Sequence, residues 1–555
     1  MELNFEITVK GGAVMSISIY QNPILPGFHP DPSICRVGED YYLVNSTFSY
    51  FPGVPIFHSK DLIHWTQIGN ILDREEQLNL SETEHSGGIF APTIRYYQGT
   101  YYMITTNVTH GGNFIVTAQK PTGPWSNPYF LEDADGIDPS LFFDDDGRCY
   151  YCGTKGRREG GAFWGDNEIY IQELDLKTMK LIGPSYAAWH GALRDGEWQE
   201  GPHIYKKDGF YYLMIAEGGT GLNHAVTIAR SKSLTAPFEG CKRNPILTHR
   251  HLGKNYPIVN TGHADLVETS TGEWFMVLLA SRPCDGFCNL GRETFLVPVT
   301  WEDGWPVVNY GIGLVEEKSF DDSVKRHSIV EHFETDELPP YFLYLRNPIK
   351  ENYSLKDNPS HLRLYSSPIR LVDKNSPTAV FIRQTNFCYS LEAKLLLSPF
   401  ADSVETGIVL MQSNEFHYRF FITPLKENEK NQLSLQLIEC KNGIETIIAK
   451  ENILTLNNPN SGERTNKDYI YLKVLSQRQQ LSFSYSFNET EYHYLTQNID
   501  ASILSTERAG GFVGTCLGVY IGDVHKEDGK TEFRSFDSQK ENNYADFDWI
   551  SYKSF

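Results

Sequence analysis

The sequence predicts an all-β molecule in two parts, a five-bladed β-propeller followed by a jelly-roll-like β-sandwich, and three observations carry that expectation. One strand-turn-strand phrase recurs five times, the recurrence stops near residue 317, and beyond it short alternating strands continue with no helical period. The phrase is clearest over residues 136–154, GIDPSLFFDDDGRCYYCGT. Asp138-Pro139 makes a sharp entry, Ser140 to Phe143 an apolar strand, and an acidic turn ending at Gly147 leads to a second strand rich in Tyr and Cys. Two strands joined by an Asp/Gly turn form a hairpin.

The other copies follow the same plan. Asp31-Pro32-Ser33-Ile34 leads through Gly38 to Tyr41-Tyr42-Leu43-Val44, and Ala91-Pro92-Thr93-Ile94 through Gly99 to Tyr101-Tyr102-Met103-Ile104. Glu200-Gly201-Pro202-His203-Ile204 leads through Gly209 to Tyr211-Tyr212-Leu213-Met214, and His263-Ala264-Asp265-Leu266 through Gly272 to Trp274-Phe275-Met276-Val277. A period of roughly 50 to 60 residues, with strand pairs in each unit, describes blades around an axis. Equivalent residues of successive blades then share one ring, which carries Asp31, Ala91, Asp138, Glu200 and His263. Ordinary turn chemistry explains an Asp before a Pro in any single copy. It does not explain why the acid becomes a Glu one residue earlier in the fourth copy, or why Ala91 and His263 replace it elsewhere.

In chain order, residues 1–20 read as a peripheral extension, 21–317 as the propeller, 318–335 as a polar acidic linker and 336–555 as the sandwich. Two domains are expected for 555 residues. The first twenty residues carry acids and no sustained apolar run, so they read as neither secretory signal nor membrane span, which places the protein in the cytoplasm. Nine cysteines without framework spacing agree with a reducing compartment. Cys149 and Cys152 fall within a strand and Cys284 and Cys288 within a loop, with no second ligand pair nearby, so zinc is not expected.

A net charge of −21 argues against nucleic acid or an anionic membrane as a partner and favours a neutral ligand. Phe48, in the turn-forming run Thr47 to Gly53, and Phe90, just before the Ala91 ring position, are candidates to wall a pocket. In Gly291-Arg292-Glu293-Thr294, Arg292 enters a strand's alternation and needs acceptors, which the ring acids would supply. The sandwich strands are expected at 380–382, 390–397, 417–422, 433–438, 469–474, 481–487 and 545–552, with no catalytic constellation among them.

Three acids around one channel suit glycoside hydrolysis, which uses one protonated carboxyl on the leaving oxygen and one ionised carboxylate across the sugar. A third carboxylate nearby raises the acid's pKa. At this point the motifs NPILPGFHPDPS from Asn22, GIDPS from Gly136, EGPH from Glu200, TGHAD from Thr261 and GRET from Gly291 together resemble glycoside hydrolase family 43, in its β-xylosidase and α-L-arabinofuranosidase branch, over nearly the whole chain.

The resemblance implies an inverting, exo-acting mechanism on an oligosaccharide, with no required cofactor. Asp31 falls on the family's general base, Glu200 on its general acid and Asp138 on the acid that orients and tunes the pair. Arg292 and His263 fall on positions that contact the sugar or support the acids, and Phe48 on a pocket aromatic. In some relatives a histidine at the His263 position helps hold a central calcium. Phe90 stands where xylosidases of the family commonly have Trp, and Cys152 to Gly156 replaces a tryptophan-bearing segment; both departures favour arabinofuranose over xylose. A retaining fructosidase-like propeller would carry Asn, Arg and Cys where this chain has Pro30, Ile137 and Gly201. A non-catalytic sugar-binding propeller is the remaining rival, against which the intact triad stands. The oligomeric state is left open, a homo-oligomer included.

Overall fold

The structure is a computed structural model that describes residues 20–317, 328–397, 404–425, 432–454, 469–523 and 543–555, together with two short paired strands, Ile7–Thr8 and Val14–Met15. Five four-stranded antiparallel sheets follow one another along the chain from Ser33 to Val308. Their innermost strands are Ser33–Val37, Thr93–Tyr97, Ile137–Phe143, Glu200–Lys207 and Val259–Glu268. Each lies against the next around the axis, and the last meets the first.

The repeated tyrosine pairs now have a physical reason. Successive residues of a strand point to opposite faces, so in each second strand one aromatic packs toward the preceding blade and the other toward the following one. Tyr41 joins the core between blades 5 and 1 and Tyr42 that between blades 1 and 2, while Tyr101 and Tyr102 do the same for blade 2. Cys149 and Cys152 likewise point into different interblade cores, and all nine cysteines are free thiols.

Closure of the ring is secured from the N-terminal side. Leu25 and Thr294 exchange backbone hydrogen bonds of 3.2 Å, the His29 N–H donates to the Arg292 carbonyl at 3.0 Å, and the Asn22 side chain bonds both ways with the Leu296 backbone. Buried Glu293 completes the clasp, accepting from the Gly27 N–H at 2.7 Å and from Arg282 at 2.7 and 2.8 Å. Around the axis a fully buried carboxylate, Asp265, accepts from Ser33 at 2.8 Å, from Tyr205 at 2.6 Å and from Arg95 at 2.9 and 3.2 Å. Those donors come from blades 1, 4 and 2, so one side chain of blade 5 ties four blades together.

The C-terminal part is a sandwich of an eight-stranded and a six-stranded sheet around one apolar core. Each expected strand coincides with an observed one; five lie wholly inside, as with Phe416–Pro424 and Tyr544–Ser554, while 390–397 and 481–487 run one residue past the ends of Cys388–Leu396 and Gln480–Ser486. Of the expected linker, residues 318–327 lie outside the described residues, and Ser328–Glu331 is already a strand, paired with Tyr544–Ser554. The outer face of the six-stranded sheet rests on the propeller, where Phe381, Val409, Met411, Phe421 and Tyr520 pack with Phe28, Phe48 and Tyr50. Between the domains Leu343 pairs with Phe381 of the sandwich, while Tyr344–Leu345 pairs with Tyr50–Phe51 of the propeller.

Candidate active site

The ring positions share an unusual backbone. Asp31, Asp138 and His263 have φ of 52°, 53° and 46°, in the left-handed region where non-glycine residues are uncommon. The inner strands are irregular there, with breaks in register between Ile137 and Ser140, Glu200 and His203, and Gly262 and Ala264. A bulge of this kind turns a side chain out of the ladder, here toward the channel mouth. In blade 4 the left-handed residue is Gly201, with φ 56°, so Glu200 sits one place earlier than its counterparts. A Cβ on Gly201 would stand 2.9 Å from the His263 ring, so the structural ring position must be glycine and the acid is displaced to its neighbour.

The structure brings the sequence-predicted residues together. Asp31 accepts from Arg292 Nη1 at 2.9 Å and from Ser46 Oγ at 2.6 Å, and its Oδ1 lies 3.8 Å from His263 Nδ1. One side-chain atom from each of Asp138, Glu200 and His263 falls within 4.8 Å of the others. Asp31, Asp138 and His263 are buried, whereas Glu200 retains partial exposure at the mouth.

Their electrostatics diverge. Burial acts to raise the Asp31 carboxyl, but Arg292, His263 and the Ser46 hydroxyl outweigh it and hold the group below the ordinary aspartate value. Burial pushes Asp138 up to about 6, with the Asp31 charge adding to the shift and His263 opposing it. Glu200 is driven well above the ordinary glutamate value, first by its desolvated setting and then by the charges of Asp138 and Asp31. The pocket therefore offers one carboxyl group biased toward the ionised form and one biased toward the protonated form. Such a pair supplies a base and an acid at once.

The aromatic residues divide in role. Phe48 is 2 % exposed and stands behind the surface, stacked with Phe512 at 5.8 Å and edge-on to Phe90 at 5.3 Å; Phe90 and Phe512 are partly exposed. Phe512 comes from the sandwich and was not singled out from the sequence. Its carbonyl accepts from Arg292 Nη2 at 3.3 Å, its N–H donates to Ser86 Oγ at 2.9 Å, and the Arg292 guanidinium lies 5.7 Å from the Phe48 ring centre and 5.6 Å from that of Phe512. No local signal marks this residue, because its place depends on how two domains dock. Ser46, Thr220, which accepts from Arg292 at 3.1 Å, and buried His224, whose ring bears on the Asp31 charge, were also missed. For Ser46 a signal existed: the polar run Asn45-Ser46-Thr47 directly after an apolar strand.

Asp138, Glu200 and His263 are also the donors a central cation would meet. Calcium takes six to eight hard oxygens, whereas these residues offer two carboxyl groups and an imidazole nitrogen. Ionising Glu200 to bind metal would remove its proton. By themselves these three donors leave most of a calcium shell to water.

Both parts of the chain have counterparts among known proteins. The model of glycosyl hydrolases family 43 matches residues 20–306, and that of the beta xylosidase C-terminal concanavalin A-like domain matches residues 330–553. The chain is similar to a xylosidase/arabinosidase of Butyrivibrio fibrisolvens, 48 % identical over 96 % of this chain and 99 % of that one. It is 35 % identical to a non-reducing end alpha-L-arabinofuranosidase of Bacteroides ovatus, over 96 % of this chain and 94 % of the relative. Among solved structures, a xylan beta-1,4-xylosidase of Bacillus halodurans superposes with a TM-score of 0.82 at 36 % identity, over 96 % of this chain and all of that one.

Proposed function

This chain belongs to glycosyl hydrolase family 43, and on that premise we propose that it is an inverting α-L-arabinofuranosidase with a lesser β-D-xylosidase activity, releasing terminal arabinofuranosyl groups from arabino- or arabinoxylo-oligosaccharides. The coarser reading, an exo-acting xylosidase/arabinosidase, rests on the family and its relatives. What carries the mechanism is the divergence of the acids: Asp31 bonded to Arg292 and Ser46 and lowered by them, Glu200 raised by burial and then by the Asp138 charge.

In this reading Asp31 takes a proton from the attacking water, Glu200 gives its proton to the leaving oxygen, and burial together with the Asp138 charge favours the protonated form of Glu200. Arg292, bonded to Asp31, Thr220 and the Phe512 carbonyl, fixes the base against the aromatic wall. His263 lies between Asp31 and the other two acids and supports their placement. The preference for arabinofuranose is supported by Phe90, a smaller wall than Trp, which suits a flatter five-membered ring. One aromatic difference in a pocket is worth only about 1–3 kcal/mol of discrimination, so both sugars are expected to react.

Parallel measurement of kcat/KM on aryl α-L-arabinofuranoside and aryl β-D-xyloside tests the preference. The arabinoside should be the better substrate, and Asp31→Ala should abolish both activities. A better xyloside overturns the substrate assignment alone; loss of only one activity overturns the single site. Proton NMR of the first-formed anomer should show inversion, and a retained anomer would overturn the mechanism.

A further inference from the structure

Two tryptophans stand beside the pocket with no part in the reaction as described. Trp164 lies on the loop joining strands Cys149–Gly156 and Asn167–Asp175, and it is 81 % exposed. Its ring meets that of Trp198 edge-on, with centres 5.5 Å apart and planes at 87°. Trp198 precedes Glu200 by two residues and has φ 56°. A bulky residue held at positive φ is strained, and such strain collects where a ligand is clamped.

The surrounding loops hold this pair firmly. The Trp198 N–H donates to the Gly165 carbonyl at 2.7 Å, the Gly218 N–H to the Glu197 carbonyl at 2.7 Å, and the Asn167 N–H to the Gln199 side chain at 2.9 Å. Buried Glu217 accepts from the N–H groups of Ala192 and Leu193 at 2.7 and 3.0 Å, fixing the loop that leads into Trp198. The Trp198 ring edge abuts Gly219, and the next residue, Thr220, accepts from Arg292, which holds Asp31. Contact therefore runs unbroken from the exposed Trp164 to the ring of acids. On the Trp164 loop Arg157 pairs with Asp166 at 3.2 Å and Arg158 with Glu168 at 3.1 Å, and Glu159 and Glu197 are exposed.

We infer that Trp164 and Trp198 form the binding platform for the sugar on the leaving side of the scissile bond, and that its occupant is a neutral pyranose ring, the xylosyl unit of an arabinoxylo-oligosaccharide. Exposed indole offers an apolar face and a pyranose a matching face of C–H bonds, while Arg157 and Arg158 are already paired and the exposed Glu159 and Glu197 repel an acidic sugar. A platform two residues from the acid that protonates the leaving oxygen is placed for the group that departs. This inference rests on the pentosidase reading of the site.

The test compares kcat/KM on an arabinofuranosyl-xylotriose with kcat/KM on methyl α-L-arabinofuranoside, whose leaving group cannot reach the platform. In Trp164→Ala the ratio of the two should fall about tenfold, the size of one good contact, mainly through KM on the oligosaccharide. Trp164→Phe should restore most of it. An unchanged ratio, or a fall that Phe does not restore, overturns the platform. A wild-type protein that cleaves neither arabinofuranosides nor xylosides would instead overturn the proposed function, so the two failures are distinguishable.

Discussion

Asp31 and Glu200 face one pocket with opposite protonation preferences, and the pH profile should show it. As the proposed base, Asp31 has to be ionised, and its pKa is lowered, so the acid limb, where activity falls as pH drops, should lie below the ordinary aspartate range. As the proposed acid, Glu200 has to be protonated, and its pKa is raised well above the ordinary value, so the limb where activity falls as pH rises should lie well above the ordinary glutamate range. Ser46→Ala removes a hydrogen bond of 2.6 Å to the ionised form of Asp31. A bond to a charged group is worth about 1.5–3 kcal/mol, and one pKa unit about 1.4 kcal/mol, so the acid limb should move up by about one to two units. An unmoved limb in the measured kcat/KM profile would assign it to another group. Glu200→Gln should slow glycosides with poor leaving groups by about 10²–10⁴-fold and those with good leaving groups far less; equal losses on both would remove Glu200 from the acid's role.

At the scale of the element, the blade repeat was legible because each hairpin repeats the same local demands: a sharp entry, an apolar strand, a glycine turn and two aromatics for two flanking cores. The three acids were legible through that repeat. The one-residue displacement of Glu200 was visible as an anomaly in the sequence, but its cause, Gly201 pressed against His263, needs coordinates. Asp265 was quoted within its motif, yet its hub required knowing that Arg95 and Tyr205 of other blades converge on it. Two glycines separate the elements' contributions. Gly201→Ala forces a Cβ at φ 56° against the His263 ring and should cost more than about 1 kcal/mol of stability, with a fall chiefly in kcat as Glu200 shifts. Gly514→Ala puts a Cβ 2.4 Å from the Leu290 carbonyl, pushing the Phe512 segment off Gly291, and should cost about 1–3 kcal/mol with a rise chiefly in KM. Thermal melts and kcat and KM for both variants check this, and identical kinetic signatures would refute the division.

For the whole molecule, the two domains behave as one cooperative unit in this account. Leu343 to Arg346 join both at once: Leu343 pairs with Phe381, Tyr344–Leu345 with Tyr50–Phe51, and the wholly buried Arg346 donates to the Thr83 carbonyl at 2.7 Å, the Asn375 carbonyl at 2.8 Å and Asn414 at 3.1 Å. Unpaired by any carboxylate within these bonds, its guanidinium is lowered by burial to about 10. Calorimetry should therefore show one unfolding transition, and a protein cut after residue 317 should lose its glycosidase activity together with Phe512. Two separated transitions, or an active isolated propeller, would refute the coupling.

The placement of Phe512 also bears on how the enzyme is made. Its pocket joins a residue late in the chain to Asp31 and Phe48 near the beginning, so during synthesis the acids can be present while the wall that confines a sugar is still unwritten. A growing polypeptide should remain inert toward substrate until that late segment has emerged from the ribosome and docked, and hydrolysis becomes a sign of completed translation.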